Sequence, residues 1–438
     1  MVFNASGGSA HPFRWGGAWL DGRVSSTNTA RNVVILGSTG SIGTQALEVI
    51  DERRDRFQVV GLAAGGSDVA LFARQILDFS PRVVAMAKAT AGQDLQLALY
   101  AEAKRRGWNS GDFSLPKILL GPDAATKLAR LECDVVLNGI TGSAGLLPTL
   151  ATLETGTTLA LANKESLVIG GRLVTEAAAP GQVVAVDSEH SAFAQCLRSG
   201  RADEVRRLIL TASGGPFRGR SRDELADVTV EQALAHPSWA MGRVVTINSS
   251  TLVNKGLELL EAWLLYGVDL DDITVVVHPG SIVHSMVEFH DGATIAQVSP
   301  PDMKLPIALG LGWPERVADA SEPNDWSRPV QWIFEPLDDD AFPAVELARR
   351  CGKAAGSAPA VFNAANEVCV DAFCDGRIGY LDIVDTVAAV VDEHLALAGQ
   401  DGGHITDELM SVDGVLAADA WARDRAEQKC RERAAGMP

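Results

Sequence analysis

The sequence predicts an α/β chain in three parts: a parallel-sheet domain, then a mixed α+β domain, then a helical bundle. Three observations carry this. From Arg31 to Val186, short β-branched runs alternate with amphipathic stretches, the pattern of parallel strands joined by crossover helices. From Leu208 to Ser299, apolar runs are separated by glycine-rich turns and charged segments. From Ala341 onward only helical periodicity remains, broken by Gly- or Pro-marked turns as in a small bundle.

Composition narrows the function classes. A chain of 438 residues suffices for two or three domains with sizeable cores, and 47% hydrophobic with 21% charged residues is ordinary for a soluble protein. Without an apolar run of about 18 residues, no membrane-spanning helix is expected. A formal net charge of −18 argues against a nucleic-acid partner, because phosphate backbones need a basic face. An anionic small substrate stays open, since a site can be locally positive. The six cysteines are scattered without a CxxC pair, which predicts reduced, buried thiols and a cytoplasmic protein. Residues 1–30, rich in Gly, Ser, Ala and Asn, lack the apolar core of a secretory signal and are expected to form a disordered tail.

The first domain is expected over 31–187, with strands at 33–36, 57–64, 82–87, 117–120, 134–140, 157–162 and 182–186. The first strand runs straight into Gly37-Ser-Thr-Gly-Ser-Ile-Gly43 and then a helix. Glycines let a backbone turn tightly and approach a pyrophosphate, and a helix N-terminus supplies unpaired N–H groups. Thr39, Ser41 and Ile42 would present the donors. This is a Rossmann-like dinucleotide site, and not a P-loop, because no Gly-Lys-Ser/Thr follows. The second strand ends in Ala63-Ala64-Gly65-Gly66-Ser67, where an acid would bind the ribose hydroxyls of NAD. Its absence there favours NADP(H). Asn163, Lys164 and Glu165 follow a later strand, at the edge where ligands bind in such folds; Asn163 is equally a fair helix cap.

The seventh strand leads into Asp187-Ser188-Glu189-His190. If the chain stays extended there, Asp187 and Glu189 point to one side, and an all-oxygen pair favours a hard cation such as Mg²⁺ or Mn²⁺. The competing reading is a solvated loop in which Asp187 or Ser188 caps a helix. A second domain is expected over 188–315. In it, Ser213-Gly214-Gly215-Pro216 suits a hinge, and the polar stretch 214–242, ending in His236-Pro-Ser-Trp239-Ala-Met241-Gly242, is a candidate lid. The alternative is a long surface loop with Trp239 packed on the core. In the helix from Thr251, Asn254 and Lys255 share a face with Glu258, at i+4 and i+3. Ser249, Ser250, Asn254 and Lys255 gather phosphate donors near its start. Residues 275–299 read as strand–turn–strand in an antiparallel sheet, with His278, His284 and His290 as buried, hydrogen-bonded histidines that need no functional role. A short helix follows. Residues 316–340, with two Trp and a Phe, read as an ordered linker, and 341–438 as the helical domain.

GSTGSIG, NKESL, VDSEHSA, TASGGPF, HPSWAMG, SSTLVNKGLE, HPGSIVHSMV and FNAANE, in this order from about Arg31 to the C-terminal helices, resemble the 1-deoxy-D-xylulose 5-phosphate reductoisomerase family. The resemblance implies NADPH- and metal-dependent conversion of that sugar phosphate to 2-C-methyl-D-erythritol 4-phosphate, in non-mevalonate isoprenoid synthesis, by a homodimer. It implies Asp187, Glu189 and Glu258 as ligands of Mg²⁺ or Mn²⁺, and Lys164, Ser188 and Lys255 at the substrate's oxygens. Ser213, Ser249, Asn254 and, less directly, His236 would serve the phosphate, and Trp239 and Met241 would lie on a closing loop. Thr39, Gly40, Ser41, Ile42, Gly65, Gly66, Ser67, Asn163, Glu165 and Gly242 would line the cofactor. Where Gly66 and Ser67 stand, members often carry a basic or amide residue. Two rivals remain at this level: a plain NADP-dependent dehydrogenase, which strict metal dependence would exclude, and a non-catalytic dinucleotide sensor, which turnover would exclude.

The acid-free second-strand tip makes NADPH the expected reductant. Its kcat/KM should far exceed that of NADH, and comparable values in a steady-state assay would refute this.

Overall fold

Seven strands form one parallel sheet: β1 (Arg31–Leu36), β2 (Phe57–Ala64), β3 (Val83–Met86), β4 (Lys117–Leu120), β5 (Val135–Asn138), β6 (Thr158–Leu161) and β7 (Val183–Ala185). The computed structural model describes residues 30–436 except Ser110, Pro237, Ser238, Ala240 and Asp401, so the tail expected over 1–30 lies, but for Ala30, outside the described residues. The spatial order is β4-β3-β2-β1-β5-β6-β7. The chain winds outward from β1 in one direction, then returns to start the other half at β5. The order therefore reverses between β1 and β5, the switch point where such sheets open a crevice for ligands. Helices cover both faces, so the central strands are apolar throughout: Val33 to Leu36 and Val135 to Leu137 are all fully buried.

The second sheet contains β8 (Val205–Ala212), β9 (Ile273–Val277), β10 (Val283–Phe289), β11 (Thr294–Val298) and β12 (Glu335–Pro336), in the order β11-β10-β8-β9-β12. This corrects the strand–turn–strand reading of 275–299. β9 and β10 are not partners; β8 lies between them, parallel to β9 and antiparallel to β10. The true hairpin is β10–β11. The turn at His278–Ile282 is thus a crossover over β8, which local sequence does not distinguish from a hairpin turn. His278 and His284 are buried, whereas His290 is exposed at the far end of β10.

Two boundaries also shift. The helix Lys304–Gly312, expected in the second domain, packs on the first sheet: Ile307, Ala308 and Leu311 belong to its core, and Arg31 Nη1 donates to Leu311 O at 2.8 Å. The stretch 316–340 is partly strand, because Glu335 and Pro336 extend the second sheet as β12.

The candidate lid is largely anchored. Phe217, Leu225, Val228 and Ala233 are buried in the main core. Arg218 pairs with Glu335 at 2.6 Å and Arg222 with Asp385 at 2.6 Å. Polar composition concealed four apolar anchors spaced along an irregular path. Only the stretch from His236 onward remains open to the reading of a closing loop.

The C-terminal helices Ala344–Ala354, Ala358–Cys374, Tyr380–Ala396 and Val412–Gly436 pack around the second of them, whose apolar residues are almost all buried. They support the helix Val253–Tyr266. A Cβ at Gly256 would stand 2.8 Å from Ala348 Cβ, so glycine permits this close helix contact. Tyr380 Oη donates to Ser250 O at 2.6 Å, and Asn366 Nδ2 to Asn248 Oδ1 at 2.9 Å.

Phe217 stands edge-on to Tyr380, with ring centroids 5.2 Å apart. Phe217→Ala should destabilise the protein by about 3 kcal/mol through the cavity it leaves. Urea unfolding checks this; a surface lid would give almost no change.

Candidate active site

The crevice at the switch point begins with the glycine loop. Gly37 has φ +87°, and a Cβ there would lie 2.8 Å from Gly139 O, so only glycine lets β1 turn beside β5. A Cβ at Gly43 would collide with Gly37 O and Ser38 Cα. Gly40 caps the helix Ser41–Glu52 without any side-chain hydrogen bond, which leaves first-turn N–H groups for an anion.

From this loop a cavity of about 360 Å³ extends to the second sheet. It brings together most of the residues singled out from sequence: Gly40, Ser41, Ile42, Asn163, Lys164, Glu165, Asp187, Ser188, Glu189, Ser213, His236, Trp239, Met241, Gly242, Ser249, Asn254, Lys255 and Glu258. Thr39, Gly65, Gly66 and Ser67 do not line it. Gly65 to Ser67 form the neighbouring β2 tip, which is joined to the glycine loop where Ser38 N–H donates to Ala63 O at 2.8 Å.

At the far end three carboxylates converge. Asp187, Glu189 and Glu258 offer oxygens that all lie within 4.8 Å of one another. Asp187 and Glu189 arrive there differently from the extended reading. The chain turns helical at Ser188, Asp187 is the N-cap and accepts Glu189 N–H, and Glu189 stands in the first turn. Capping and convergence are therefore the same arrangement. Glu258 comes from the helix Val253–Tyr266, on the predicted face with Asn254 and Lys255; Asn254 Nδ2 donates to Glu258 Oε1.

Two lysines thread the carboxylates. Lys164 Nζ bonds Asp187 Oδ2 at 2.6 Å and Glu258 Oε1 at 2.9 Å. Lys255 Nζ bonds Glu189 Oε1 at 2.7 Å and pairs with Glu258 Oε2. Burial opposes their charge, but the facing carboxylates outweigh it and raise both ammoniums, Lys164 well above the usual lysine value. Asp187 is held well below the carboxylate range, against burial, by Lys164 and His190. Glu189 is pushed up to about 7 by burial and by Glu258. Three carboxylates therefore converge on two ammoniums, and an all-oxygen donor set of this kind fits a hard divalent cation.

Sequence reasoning missed the support beneath this cluster. His190, fully buried, sets Nδ1 3.0 Å from Asp187 Oδ1 and Nε2 2.8 Å from Glu258 O, so one ring ties both carboxylate-bearing segments. Glu261, also fully buried, faces the same Nδ1 at 3.3 Å. Burial lifts the Glu261 carboxyl to about 8; His190, opposed by burial, is raised to about 9 by Glu261 and Asp187. The available signal was spacing: His190 follows Asp187, and Glu261 follows Glu258, by one helical turn.

Other singled-out residues carry structural work. Asn163 accepts from Ser166 N and Ser166 Oγ, and its amide donates to Gly142 O at 3.1 Å. Its side-chain oxygen caps the helix Lys164–Gly170, one of the two readings the sequence leaves open, and the residue also lines the cavity. Ser213 Oγ lies 3.1 Å from His236 Nε2, and Trp239 N–H donates to His236 Nδ1 at 2.9 Å. The Trp239 ring stands edge-on to His284 with centroids 6.3 Å apart. Asp68, directly after Ser67, was overlooked: its carboxylate caps the helix Val69–Phe79 through Leu71 N–H.

Family profiles described as 1-deoxy-D-xylulose 5-phosphate reductoisomerase and its C-terminal domains match residues 33–171, 183–266 and 298–425. The 1-deoxy-D-xylulose 5-phosphate reductoisomerase of Cutibacterium acnes is 68% identical over 403 residues, covering 91% of this chain and 98% of that protein. The chain belongs to this family. The enzyme of that name from Paenarthrobacter aurescens is 58% identical over 90% of this chain and 97% of its own length. Among solved structures, the family's enzyme from Zymomonas mobilis in complex with NADPH superposes with a TM-score of 0.81 at 38% identity, covering 92% of this chain and 99% of that one. A DOX-P reductoisomerase in complex with NADPH, fosmidomycin and magnesium gives 0.80 at 34% identity, with coverage of 92% and 98%. Membership in the family makes this chain an NADP-dependent oxidoreductase and sets aside the sensor and plain-dehydrogenase rivals.

His236 gives a pH test. Burial lowers its pKa, and its Nδ1 accepts a hydrogen bond that a proton there would break. The unfolded chain takes up this proton near about pH 6.5 and the folded chain only below that. The contribution is therefore full above that value and lost as pH falls through the depressed folded pKa. An NMR titration should place His236 below about 6.5; a midpoint at or above it would contradict the Trp239 contact.

Proposed function

We propose that this cavity performs the family's reaction, the NADPH- and Mg²⁺- or Mn²⁺-dependent rearrangement and reduction of 1-deoxy-D-xylulose 5-phosphate to 2-C-methyl-D-erythritol 4-phosphate. The observation that carries this is the convergence of Asp187, Glu189 and Glu258 in one cavity with the glycine loop. Asp187, Glu189 and Glu258 would hold the metal. When bound, the ion and the nicotinamide supply carbonyl polarisation and hydride.

The chain's own residues do the rest. Lys164, Ser188 and Lys255 bind the substrate's oxygens, the ammoniums compensating charge that develops on them. Ser213, Ser249, Asn254 and His236 take the phosphate, whose binding energy orients the reacting carbons from a distance. Trp239 and Met241 exclude water as the segment from His236 closes. First-turn N–H groups of the helix Ser41–Glu52 receive the pyrophosphate.

The working division is a cofactor domain over 31–187 joined by the helix Lys304–Gly312, a catalytic domain over the rest of 188–315, and a helical support from 341. We also read the chain as a cytoplasmic homodimer. Its cysteines are all free, and the exposed apolar side chains Trp326, Val330, Ile333 and Phe334 beside β12 offer surface that a second copy would cover. NADPH oxidation with the sugar phosphate, with and without added metal, tests the activity directly; turnover at full rate in a chelator would overturn the metal reading.

Glu258→Gln keeps the shape but removes one of three negative charges. Mn²⁺ affinity should fall by about tenfold or more, with a large loss of turnover. NADPH affinity should hardly change, because the glycine loop stands at the other end of the cavity. Separate titrations of metal and nucleotide read the two effects; normal turnover at the parent's metal requirement would remove Glu258 from the site.

A further inference from the structure

The first sheet presents a cation where its second strand offers none. The β2 tip, Gly65-Gly66-Ser67, carries no Lys or Arg, and the carboxylate that follows, Asp68, is engaged with Leu71 N–H at 2.8 Å. In folds of this class the adenosine ribose lies at that tip. The β3 tip runs beside it. Ala87 N–H donates to Ala64 O at 3.1 Å and Lys88 N–H to Gly65 O at 3.1 Å, so the ladder continues past Met86 and holds Lys88 against the glycines.

Gly66 has φ +99°, and a Cβ there would lie 3.0 Å from Lys88 Cβ and 3.0 Å from Met86 Sδ. The stem of Lys88 thus borders the space that a side chain at position 66 would enter. Lys88 is exposed. Among the described residues no carboxylate pairs with its ammonium, whereas Lys127, near the neighbouring β4 tip, is held by Asp123 at 2.7 Å.

We propose that Lys88 is a specificity-determining residue, its ammonium binding the adenosine 2′-phosphate that distinguishes NADPH from NADH. This rests on the NADPH reading above. The ligand class is a ribose phosphate dianion, and the fit has three parts. A flexible four-carbon stem carries the charge across Gly66, the glycine leaves the approach open, and Ser67 at the same tip adds a hydroxyl. A basic side chain just beyond β3 replaces one at the end of β2.

The test uses the whole protein and binding alone. Lys88→Met keeps the stem and removes the charge, and Lys88→Arg restores it. Calorimetry compares 2′,5′-ADP with 5′-AMP, and fluorescence compares NADPH with NADH. Lys88→Met should weaken 2′,5′-ADP and NADPH by about tenfold or more, leave 5′-AMP and NADH within about twofold, and flatten the salt dependence of NADPH binding. Lys88→Arg should recover most of the loss. A parent preference for NADPH that survives Lys88→Met, or equal losses for both nucleotides, overturns the inference alone. A parent protein that binds NADPH and NADH equally overturns the cofactor reading and this inference with it. Because Lys88 is exposed, urea unfolding of the variants should match the parent, which separates lost binding from lost fold.

Discussion

The site depends on one electrostatic constraint: three carboxylates and two ammoniums enclosed at the junction of both sheets. Removing one partner from a buried ion pair leaves an uncompensated charge, at a cost of about 3–5 kcal/mol. The charges come from distant parts of the chain. Lys164 follows β6, Asp187 and Glu189 follow β7, and Lys255 and Glu258 ride a helix of the second domain. Their pairing requires the two sheets and their helices to meet in one relative position. Lys164 is the central tie, because its ammonium reaches both Glu258, on the helix Val253–Tyr266, and Asp187, after β7. The same groups serve chemistry, since three converging carboxylates offer a hard cation an all-oxygen site.

The rest of the fold fixes the distance between this cluster and the glycine loop. The helix Lys304–Gly312 packs into the first sheet, where a Cβ at Gly310 would lie 2.8 Å from Val186 Cγ2, one residue before Asp187. The chain thereby returns from the second domain to brace the end of β7 from behind. On the other side, the C-terminal bundle holds the helix Val253–Tyr266 at Gly256 and the end of the preceding helix Arg243–Ser250 through Tyr380. Leu252, just before that helix, sits in the left-handed region at φ +61°, a conformation that costs a non-glycine residue about 1–2 kcal/mol and survives because its surroundings are packed. This kink between two helices lets Ser249 and Asn254 face one cavity.

Local physics explains what could be read from the sequence. The parallel strands were legible because the central ones are buried on both faces and therefore almost uniformly apolar, and the edge strand β4 keeps a short apolar run. The shared face of Asn254, Lys255 and Glu258 was legible because helical spacing is rigid. The order of the second sheet was not: β9 and β10 are adjacent in sequence, yet β8 inserts between them, a choice made by long-range pairing. The anchoring of 217–235 was hidden for a related reason, since Phe217, Leu225, Val228 and Ala233 follow neither helical nor strand period. At Asp187 the alternation rule pointed to the right pair through the wrong geometry. An N-cap and a first-turn residue also sit close together, so two backbone conformations bring the same carboxylates to one point.

Asn163 and Asp68 show why residue type at a strand edge is ambiguous even when its position is right. Both stand at the carboxyl edge of the sheet, where a ligand is expected, and both turn their side chains back onto the first N–H groups of the following helix. A polar side chain that precedes a helix can meet the unpaired donors of its own backbone or those of a ligand, but one carboxylate or amide oxygen rarely does both. Where such a residue caps, ligand contacts at that edge fall to backbone N–H groups and to side chains with no local partner. Gly40 leaves its helix uncapped by any side chain, and Lys88 is exposed without an ion pair among the described residues. In this edge the groups free to meet an anion are therefore those that local structure leaves unused.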